Sequence, residues 1–170
     1  MQIMRIYWLT ILLTCVIESA AADPQSDYET GRKAYHAEDL ITAMQLLESA
    51  ANQGHGDAQV LLGYILDKAE DNTRAVAMFQ MAAEQGHPAG ELALAHMYAA
   101  GEGVEQSNEQ ALQWIRRAVE QAHIPAITHL AELYQQGGLG LAPDPVQARR
   151  LWQKAAELGD EEAKNKLQAK

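Results

Sequence analysis

One short pattern recurs four times along the chain and constrains its fold more than any other feature. The pattern is Ala-Ala-x-x-Gly-His with small departures, and its copies begin at Ala50, Ala82, Ala118 and Ala155. Successive copies start 32, 36 and 37 residues apart. A period of this length is typical of arrays in which each supersecondary unit stacks on the next to complete a core. The sequence therefore predicts a repeat protein.

Each unit contains two amphipathic helices. In the second, helix B, a small residue is followed by large apolar residues three and four positions later and by small ones at seven and eight, the spacing of one helix face. The large pairs are Leu46-Leu47, Met78-Phe79, Trp114-Ile115 and Leu151-Trp152. In the first, helix A, one face carries a small residue, a large one four positions later and a second small one at five. Gly63 holds that last position and predicts a close contact between helices.

The composition agrees with an all-α fold, because alanine is abundant and β-branched runs are lacking after the first twenty residues. We expect an α-solenoid of about four antiparallel helix pairs, at roughly 27–54, 55–86, 87–122 and 123–159. Residues 160–170 begin another helix A that is largely polar, and we expect this segment to act as a cap. All of residues 23–170 would then form one domain.

Helix-end signals support the division into pairs. Ser107 with Gln110 matches a capping box, and Asp144 followed by Pro145 matches a cap with proline at the first helical position. Asp39 is placed to cap the first helix B. The glycine after most B helices suits a left-handed turn into the next unit.

Residues 1–22 are interpreted as a secretory signal peptide. Arg5 precedes an apolar run from Ile6 to Ile17, and small residues end the segment at Ala22, which predicts a mature chain that begins at Asp23. A retained signal anchor and lipidation at Cys15 are the alternatives. Cys15 is the only cysteine and would leave with the signal. We therefore expect a periplasmic or secreted protein without thiols and without a stable membrane anchor.

The charge restricts the partners. The chain has a formal net charge of −10 with neutral histidine. An acidic surface repels phosphate groups and anionic lipids, so the charge disfavours nucleic acid and membrane surfaces as ligands. A protein partner, of unknown identity, is the expectation. The sequence does not indicate an oligomeric state.

These units resemble the Sel-like repeat family, a class of tetratricopeptide-type helical repeats. The third unit matches the family pattern best, with the residues Leu94, Ala95, Tyr98, Gly101-Glu102-Gly103-Val104, Ala111, Trp114, Ala118 and Ala122. It departs from the pattern at Ala95 and Ala122, where glycine is usual. The resemblance implies a right-handed solenoid of paired helices that serves as an adaptor or scaffold and grips a partner on its concave surface.

Chemistry is not expected from this chain. Some cysteine-rich relatives of the family are reported to bind or hydrolyse β-lactams, but this mature chain would lack cysteine and has no Ser-x-x-Lys, Gly-x-Ser-x-Gly or His-Glu-x-x-His motif. His55, His87 and His123 follow the repeat and are interpreted as structural. We predict no catalytic residues, no metal and no cofactor. A binder of small molecules or cell-wall fragments with weak β-lactam hydrolase activity is the alternative.

The predicted binding surface is the face of each helix A that points away from its core stripe. At about 100° per residue, positions two, six and nine after the first small residue lie on that face. The selected residues are Val60, Tyr64, Asp67, Leu92, His96, Thr128, Glu132 and Gln135. If Val60, Tyr64 and Leu92 are exposed side by side, they form an apolar patch for a partner helix or an extended peptide. The other interpretation is that neighbouring units partly cover them.

We therefore expect a non-catalytic interaction module: an envelope scaffold, a toxin-immunity protein or a host-contact factor.

Overall fold

The computed structural model describes residues 23–168, and the interpretation of residues 1–22 lies outside this range. The described residues form nine helices. These are α1 Pro24–His36, α2 Leu40–Asn52, α3 Gly56–Lys68, α4 Asn72–Glu84, α5 Pro88–Ala100, α6 Asn108–Glu120, α7 Ile124–Gln136, α8 Pro145–Glu157 and α9 Glu161–Gln168. Odd-numbered helices are the A helices, and α2, α4, α6 and α8 are the B helices. The predicted all-α solenoid of four helix pairs with a short final helix is confirmed.

Side-chain caps define where the B helices begin. Asp39 accepts a hydrogen bond from the backbone N–H of Thr42 at 3.2 Å, and Asp144 accepts from two backbone N–H groups at 3.0 Å each. These bonds satisfy donors that a helix start leaves free. Ser107 caps α6 through the N–H of Gln110 at 3.2 Å. The predicted capping box is only half formed, since the Ser107 N–H donates to the Tyr98 carbonyl instead.

The turn from each helix B into the next helix A uses one residue in the left-handed region. Gly54, Gly86 and Gly159 have φ values of 86°, 78° and 99°. Ala122 holds the equivalent position with φ of 58°, a conformation that costs alanine more than glycine. The departure from the usual glycine therefore leaves the turn intact at the cost of local strain.

Packing alternates along the array. Each helix A packs on the helix B of its own pair, and that helix B packs on the next helix A. Large B-helix residues meet small A-helix residues: a Cβ added at Gly31 would lie 3.0 Å from the Leu47 side chain, and one added at Gly63 would overlap the Phe79 ring. Phe79 is 1% exposed. Gly63 thus makes the close helix contact that its position predicts.

Successive A helices also touch one another, from α1 to α3 and from α3 to α5. The A helices therefore lie closer together than the B helices do, and they line the inner side of the curve. In residues 23–168 no helix combines the length and the apolar character that crossing a membrane requires.

Three A helices carry a buried polar residue at the same position of the repeat. Asp27 accepts from the Ser49 hydroxyl at 2.6 Å, and Gln59 accepts from the Gln85 amide at 2.7 Å. The third is Glu91, which is fully buried. Ser49 and Arg117, the partners of Asp27 and Glu91, lie on the helix B of the same pair, and Gln85 directly follows the helix B of its pair. The Gln59 amide also donates to the Ala51 carbonyl of the preceding helix B at 2.9 Å. A buried polar group is stable only when it is paired, so these residues link the two helices of a repeat.

The histidines that follow the B helices, His55, His87 and His123, stand at the N-cap position of the next helix A, but among them His55 alone caps its helix through the side chain. The Nδ1 atom of His55 accepts from the Ala58 N–H at 3.3 Å, and its Nε2 atom lies 2.8 Å from the side-chain amide oxygen Oε1 of Gln25. His87 reaches back in the same way, with Nε2 at 3.0 Å from a carboxylate oxygen of Asp57. These contacts join the start of one helix A to the start of the preceding one.

The connections from helix A to helix B differ in length. Residues 69–71 join α3 to α4, whereas residues 101–107 join α5 to α6 and residues 137–144 join α7 to α8. The two longer connections carry apolar side chains that pack on the core: Val104 in the first, and Leu139 and Leu141 in the second. Extra residues are thus confined to one edge of the array.

Candidate functional site

Equivalent positions of three A helices form a row along the inner face. Tyr64 on α3 is 46% exposed, His96 on α5 is exposed, and Glu132 on α7 is half-buried. The sequence predicts these residues for the binding face because they lie six positions after the first small residue of helix A. The row presents one aromatic ring, one imidazole and one carboxylate across three successive repeats.

Tyr64 is supported from below by the core. Its ring stands edge-on against the Phe79 ring, with centroids 5.1 Å apart and planes at 65°. Edge-to-face pairs of this kind are favourable and limit the movement of the exposed ring. Burial of part of the side chain raises the pKa of the Tyr64 hydroxyl, and the nearby Asp67 raises it further. The hydroxyl therefore stays neutral and can donate a hydrogen bond to a partner.

Of the two interpretations of the apolar patch, coverage by neighbouring units applies to two of its three members. Val60 and Leu92 are each only 8% exposed. Leu92 belongs to a core cluster that also contains Leu130 of the next helix A. Since neighbouring A helices touch, residues at the second position of the face point into the seam between repeats and are covered there. Of the three, Tyr64 alone is open to a partner.

The remaining predicted residues border the row. Thr128, at the seam position of the fourth repeat, is half-buried and donates its hydroxyl to the Pro125 carbonyl at 3.0 Å. Asp67 is half-buried at the end of α3, and Gln135 is exposed at the end of α7. Gln135 lines a cavity of about 360 Å³ together with Trp152 and Lys166. The structure thus places Asp67 and Gln135 near the ends of their helices and Thr128 at the seam between repeats.

His129 is a groove residue that the sequence reasoning did not select. Its ring meets the ring of His96 edge-on, with centroids 5.0 Å apart and planes at 78°. The two histidines lie on successive A helices at different positions of the repeat, so only the packing of α5 beside α7 reveals the contact. Together they form a polar aromatic pair in the centre of the inner face.

The surroundings keep this pair uncharged near neutral pH. Desolvation of the covered part of the His96 ring lowers its pKa, and the nearby His129 lowers it further. Burial also lowers the pKa of His129, and Glu132 opposes that effect only in part. Neutral imidazoles donate and accept hydrogen bonds, which suits recognition of peptide groups. In residues 23–168 no group of three or more His, Cys, Asp or Glu side chains is arranged to hold a metal ion.

Comparisons with known proteins agree with this architecture. The Sel1 repeat model matches residues 28–55, 56–87, 88–123 and 124–160. Among curated proteins, none matches the chain in sequence.

Solved structures extend the comparison. A Sel1 repeat protein from Oxalobacter formigenes is 30% identical, with a TM-score of 0.75 over 87% of this chain and 46% of its own. The protective antigen c5321 of uropathogenic Escherichia coli, which displays an SLR fold, is 28% identical, with a TM-score of 0.75 over 88% of this chain and 34% of its own. This chain thus spans less than half of either relative.

Cysteine-rich protein B of Helicobacter pylori shares the fold at 18% identity, with a TM-score of 0.53 over 86% of this chain and 96% of its own. That likeness concerns the fold alone. The four matched repeats cover most of the sequence, and the helix pairs described above correspond to them. The chain therefore belongs to the Sel1 repeat family.

Proposed function

We propose that this chain is an exported, non-catalytic module that binds one protein partner through the groove along its A helices. Sel1 repeat proteins are generally protein-interaction modules. The observation that carries the proposal is the row of Tyr64, the His96–His129 pair and Glu132 on the inner face. An aromatic ring held on the core and surrounded by hydrogen-bonding groups is the composition found at the centre of protein interfaces.

The groove favours an extended or helical segment with mixed chemistry over a purely apolar one. Tyr64 offers a ring face, the neutral histidines offer hydrogen bonds, and Glu132 offers a negative charge to a basic side chain. Val60 and Leu92 are covered and contribute only the floor between repeats. The partner surface is therefore expected to contain one apolar anchor for Tyr64 and a Lys or Arg near Glu132.

The test is a crosslinking pull-down of the tagged protein from the periplasm. The double variant Tyr64→Ala, His96→Ala removes two exposed groove side chains without opening the core. The matched control is Gln113→Ala, Arg116→Ala, which removes two exposed side chains from α6. We expect one partner that the control retains and the groove variant loses. Retention by both variants would place the binding site elsewhere, and a protein with no partner would contradict the adaptor role.

Export has its own test. Residues 1–22 have the charge, apolar run and small-residue end of a signal peptide. We expect the purified periplasmic protein to begin at Asp23 by intact mass. Turnover of a chromogenic β-lactam, measured on the same sample, addresses the hydrolase alternative, and we expect none above the buffer rate.

A further inference from the structure

A cavity of about 270 Å³ opens between the first and second repeats, at the edge where A helices connect to B helices. Its wall consists of Tyr35, Leu40, Met44, Ile65, Lys68 and Ala69. We call this cavity the inter-repeat notch. Its lining atoms are mostly apolar, and Leu40 is 50% exposed although it is a large aliphatic residue. The notch lies outside the row of Tyr64 and His96.

The chain itself covers the equivalent place between the second and third repeats. Asn72 stands 32 residues after Leu40 and is the first residue of α4, as Leu40 is of α2. The connection formed by residues 101–107 lies against it, because a Cβ added at Gly103 would overlap the Asn72 carbonyl oxygen. A backbone segment therefore runs directly over this position.

The next residue of that connection supplies the apolar contact. Val104 packs against the core cluster that contains Val76 and Met97. These two residues stand 32 positions after Met44 and Ile65, which form the wall of the notch. Because Gly103 lies against Asn72, the adjacent Val104 covers the interval between the second and third repeats close to the position that corresponds to the notch in the interval between the first and second.

A connection also covers the interval between the third and fourth repeats. Leu139 and Leu141 of the connection between α7 and α8 pack against the cluster that contains Ile115 and Leu130. Among residues 23–168 no such residue lies between the first and second repeats, because residues 69–71 make a direct connection four residues shorter than residues 101–107. The notch is open because its repeat lacks the covering loop.

We infer that the inter-repeat notch binds an extended segment of a partner protein that inserts a branched aliphatic side chain, in the manner of Val104. The inference rests on the proposed function only in taking the ligand to be a protein. It adds a second contact that does not depend on the groove.

The positive charge of Lys68 at the rim of the notch indicates that the partner segment carries an acidic residue next to the inserted aliphatic side chain. Lys68 lines the notch and is exposed, and within residues 23–168 its ammonium forms no ion pair. The equivalent residues of the two covered intervals are Ala100 and Gln136, so the cation is confined to the open one. In the chain's own loop, Glu102 and Glu105 flank the inserted segment. A carboxylate beside the aliphatic residue complements Lys68 in charge.

The probe for the test is a capped peptide with the sequence of residues 100–107, Ala-Gly-Glu-Gly-Val-Glu-Gln-Ser. It is titrated into the purified protein, in the form that the cell produces, while methyl signals are followed by NMR. We expect saturable shifts at the Leu40, Met44 and Ile65 methyl groups. A peptide with Asp in place of Val is expected to cause none.

Variants copied from the other repeats serve as matched controls. Leu40→Asn introduces the residue found at positions 72 and 108 and is expected to weaken peptide binding at least fivefold. Ile41→Thr introduces the residue found at position 73 and changes a neighbour that is 74% exposed and outside the notch, so binding is expected to persist. Replacing residues 69–71 by residues 101–107 closes the notch and is expected to abolish binding while the melting temperature is maintained.

Several outcomes would overturn the inference. These are the absence of shifts at the solubility limit of the peptide, shifts spread beyond the notch, or equal binding after the loop graft. Notch signals that change with protein concentration before peptide is added would assign the surface to a second copy. Signals that change when residues 1–22 are removed would assign it to that segment. Because Tyr64→Ala, His96→Ala leaves the notch intact, peptide binding by this variant separates failure here from failure of the groove proposal.

Discussion

The carboxylate of Glu91 lies buried inside the array and forms an ion pair of 3.1 Å with the guanidinium of Arg117 on the paired helix B. A second carboxylate oxygen accepts from the Gln121 amide at 2.8 Å. The two partners differ in exposure: the Glu91 side chain is 1% exposed and that of Arg117 is 42% exposed. Removal of one partner therefore has a different consequence from removal of the other.

We expect Arg117→Gln to destabilise the protein by about 3 kcal/mol, because it leaves a buried charge without its ion-pair partner. Glu91→Gln leaves Arg117 free to be hydrated and is expected to cost less than about 1 kcal/mol or to stabilise. The double variant should recover most of the loss caused by Arg117→Gln. Urea unfolding at pH 7 measures all three, and equal losses for the two single variants would contradict the assignment.

The pH dependence of Glu91 has a defined sign. Burial raises the pKa of its carboxyl above the ordinary 4.5, although Arg117 and Gln121 oppose that effect. The folded state then binds the proton more tightly than the unfolded state, so stability increases as the pH falls through the raised pKa towards 4.5. We expect wild type to gain stability relative to Glu91→Gln when melting temperatures are compared at pH 7 and pH 5. An unchanged difference would show that the carboxyl titrates alike in both states.

The His96–His129 pair is expected to destabilise the protein in acid. The pKa of each ring is lowered from the ordinary 6.5, so the folded state holds fewer protons than the unfolded state. The contribution of the neutral pair to stability is fully present above pH 6.5 and is lost as the pH falls through 6.5 towards the lowered pKa values. The double variant His96→Gln, His129→Gln should show a shallower fall in melting temperature between pH 7.5 and 5.5.

His36→Gln, on an exposed histidine of α1, controls for the loss of a titratable group. If this control flattens the pH profile as much as the double variant does, the effect does not originate in the pair.

Gly63→Ala is expected to cost about 1–3 kcal/mol, because the added Cβ overlaps the ring of Phe79 in a filled core. Combination with Phe79→Leu removes the overlap and should lose less than the sum of the two single changes. Denaturant midpoints of the four proteins complete a double-mutant cycle. Additive losses would mean that the ring and the glycine do not compete for the same space.

Asp144→Ala is expected to cost about 0.5–2 kcal/mol, since it removes an oxygen that accepts from the Val146 and Gln147 N–H groups at the start of α8. Asp144→Ser keeps a capping oxygen and is the matched control. Thermal unfolding of both variants measures the difference, and a melting temperature for Asp144→Ala equal to that of Asp144→Ser would exclude the cap as a source of stability.

Local rules predict the helices and most of their ends, although the capping box at Ser107 forms only in half. Asp39 and Asp144 cap their helices at the positions that the sequence predicts. Gly63 meets Phe79 because each residue lies on the core face that the helical period predicts for its own helix. These features depend on residues close in sequence or at one fixed offset of the repeat. The packing of the two helices in each pair can therefore be predicted from the sequence of a single repeat.

The groove depends on distances between helices, which a helical wheel does not contain. Val60 and Leu92 fall on the outward face of an isolated helix A, yet adjacent A helices approach closely enough to cover them. The contact of His96 with His129 depends on the same approach. The buried Glu91 was also missed, because its partner Arg117 is 26 residues away and a glutamate in a helix usually faces solvent.

The polar pairs inside the repeats make the four units non-interchangeable despite their common backbone. Asp27 is matched to Ser49, Gln59 to Gln85, and Glu91 to Arg117 with Gln121, while the fourth repeat has the apolar Ile127 at that position. A chimera that exchanged helix A between repeats would bury an acid without its cation or an amide beside a methyl group. The buried polar residues thus restrict which helix A can pair with which helix B. Exchanging these helices between repeats would yield proteins whose helix pairs pack poorly even though every helix remained intact.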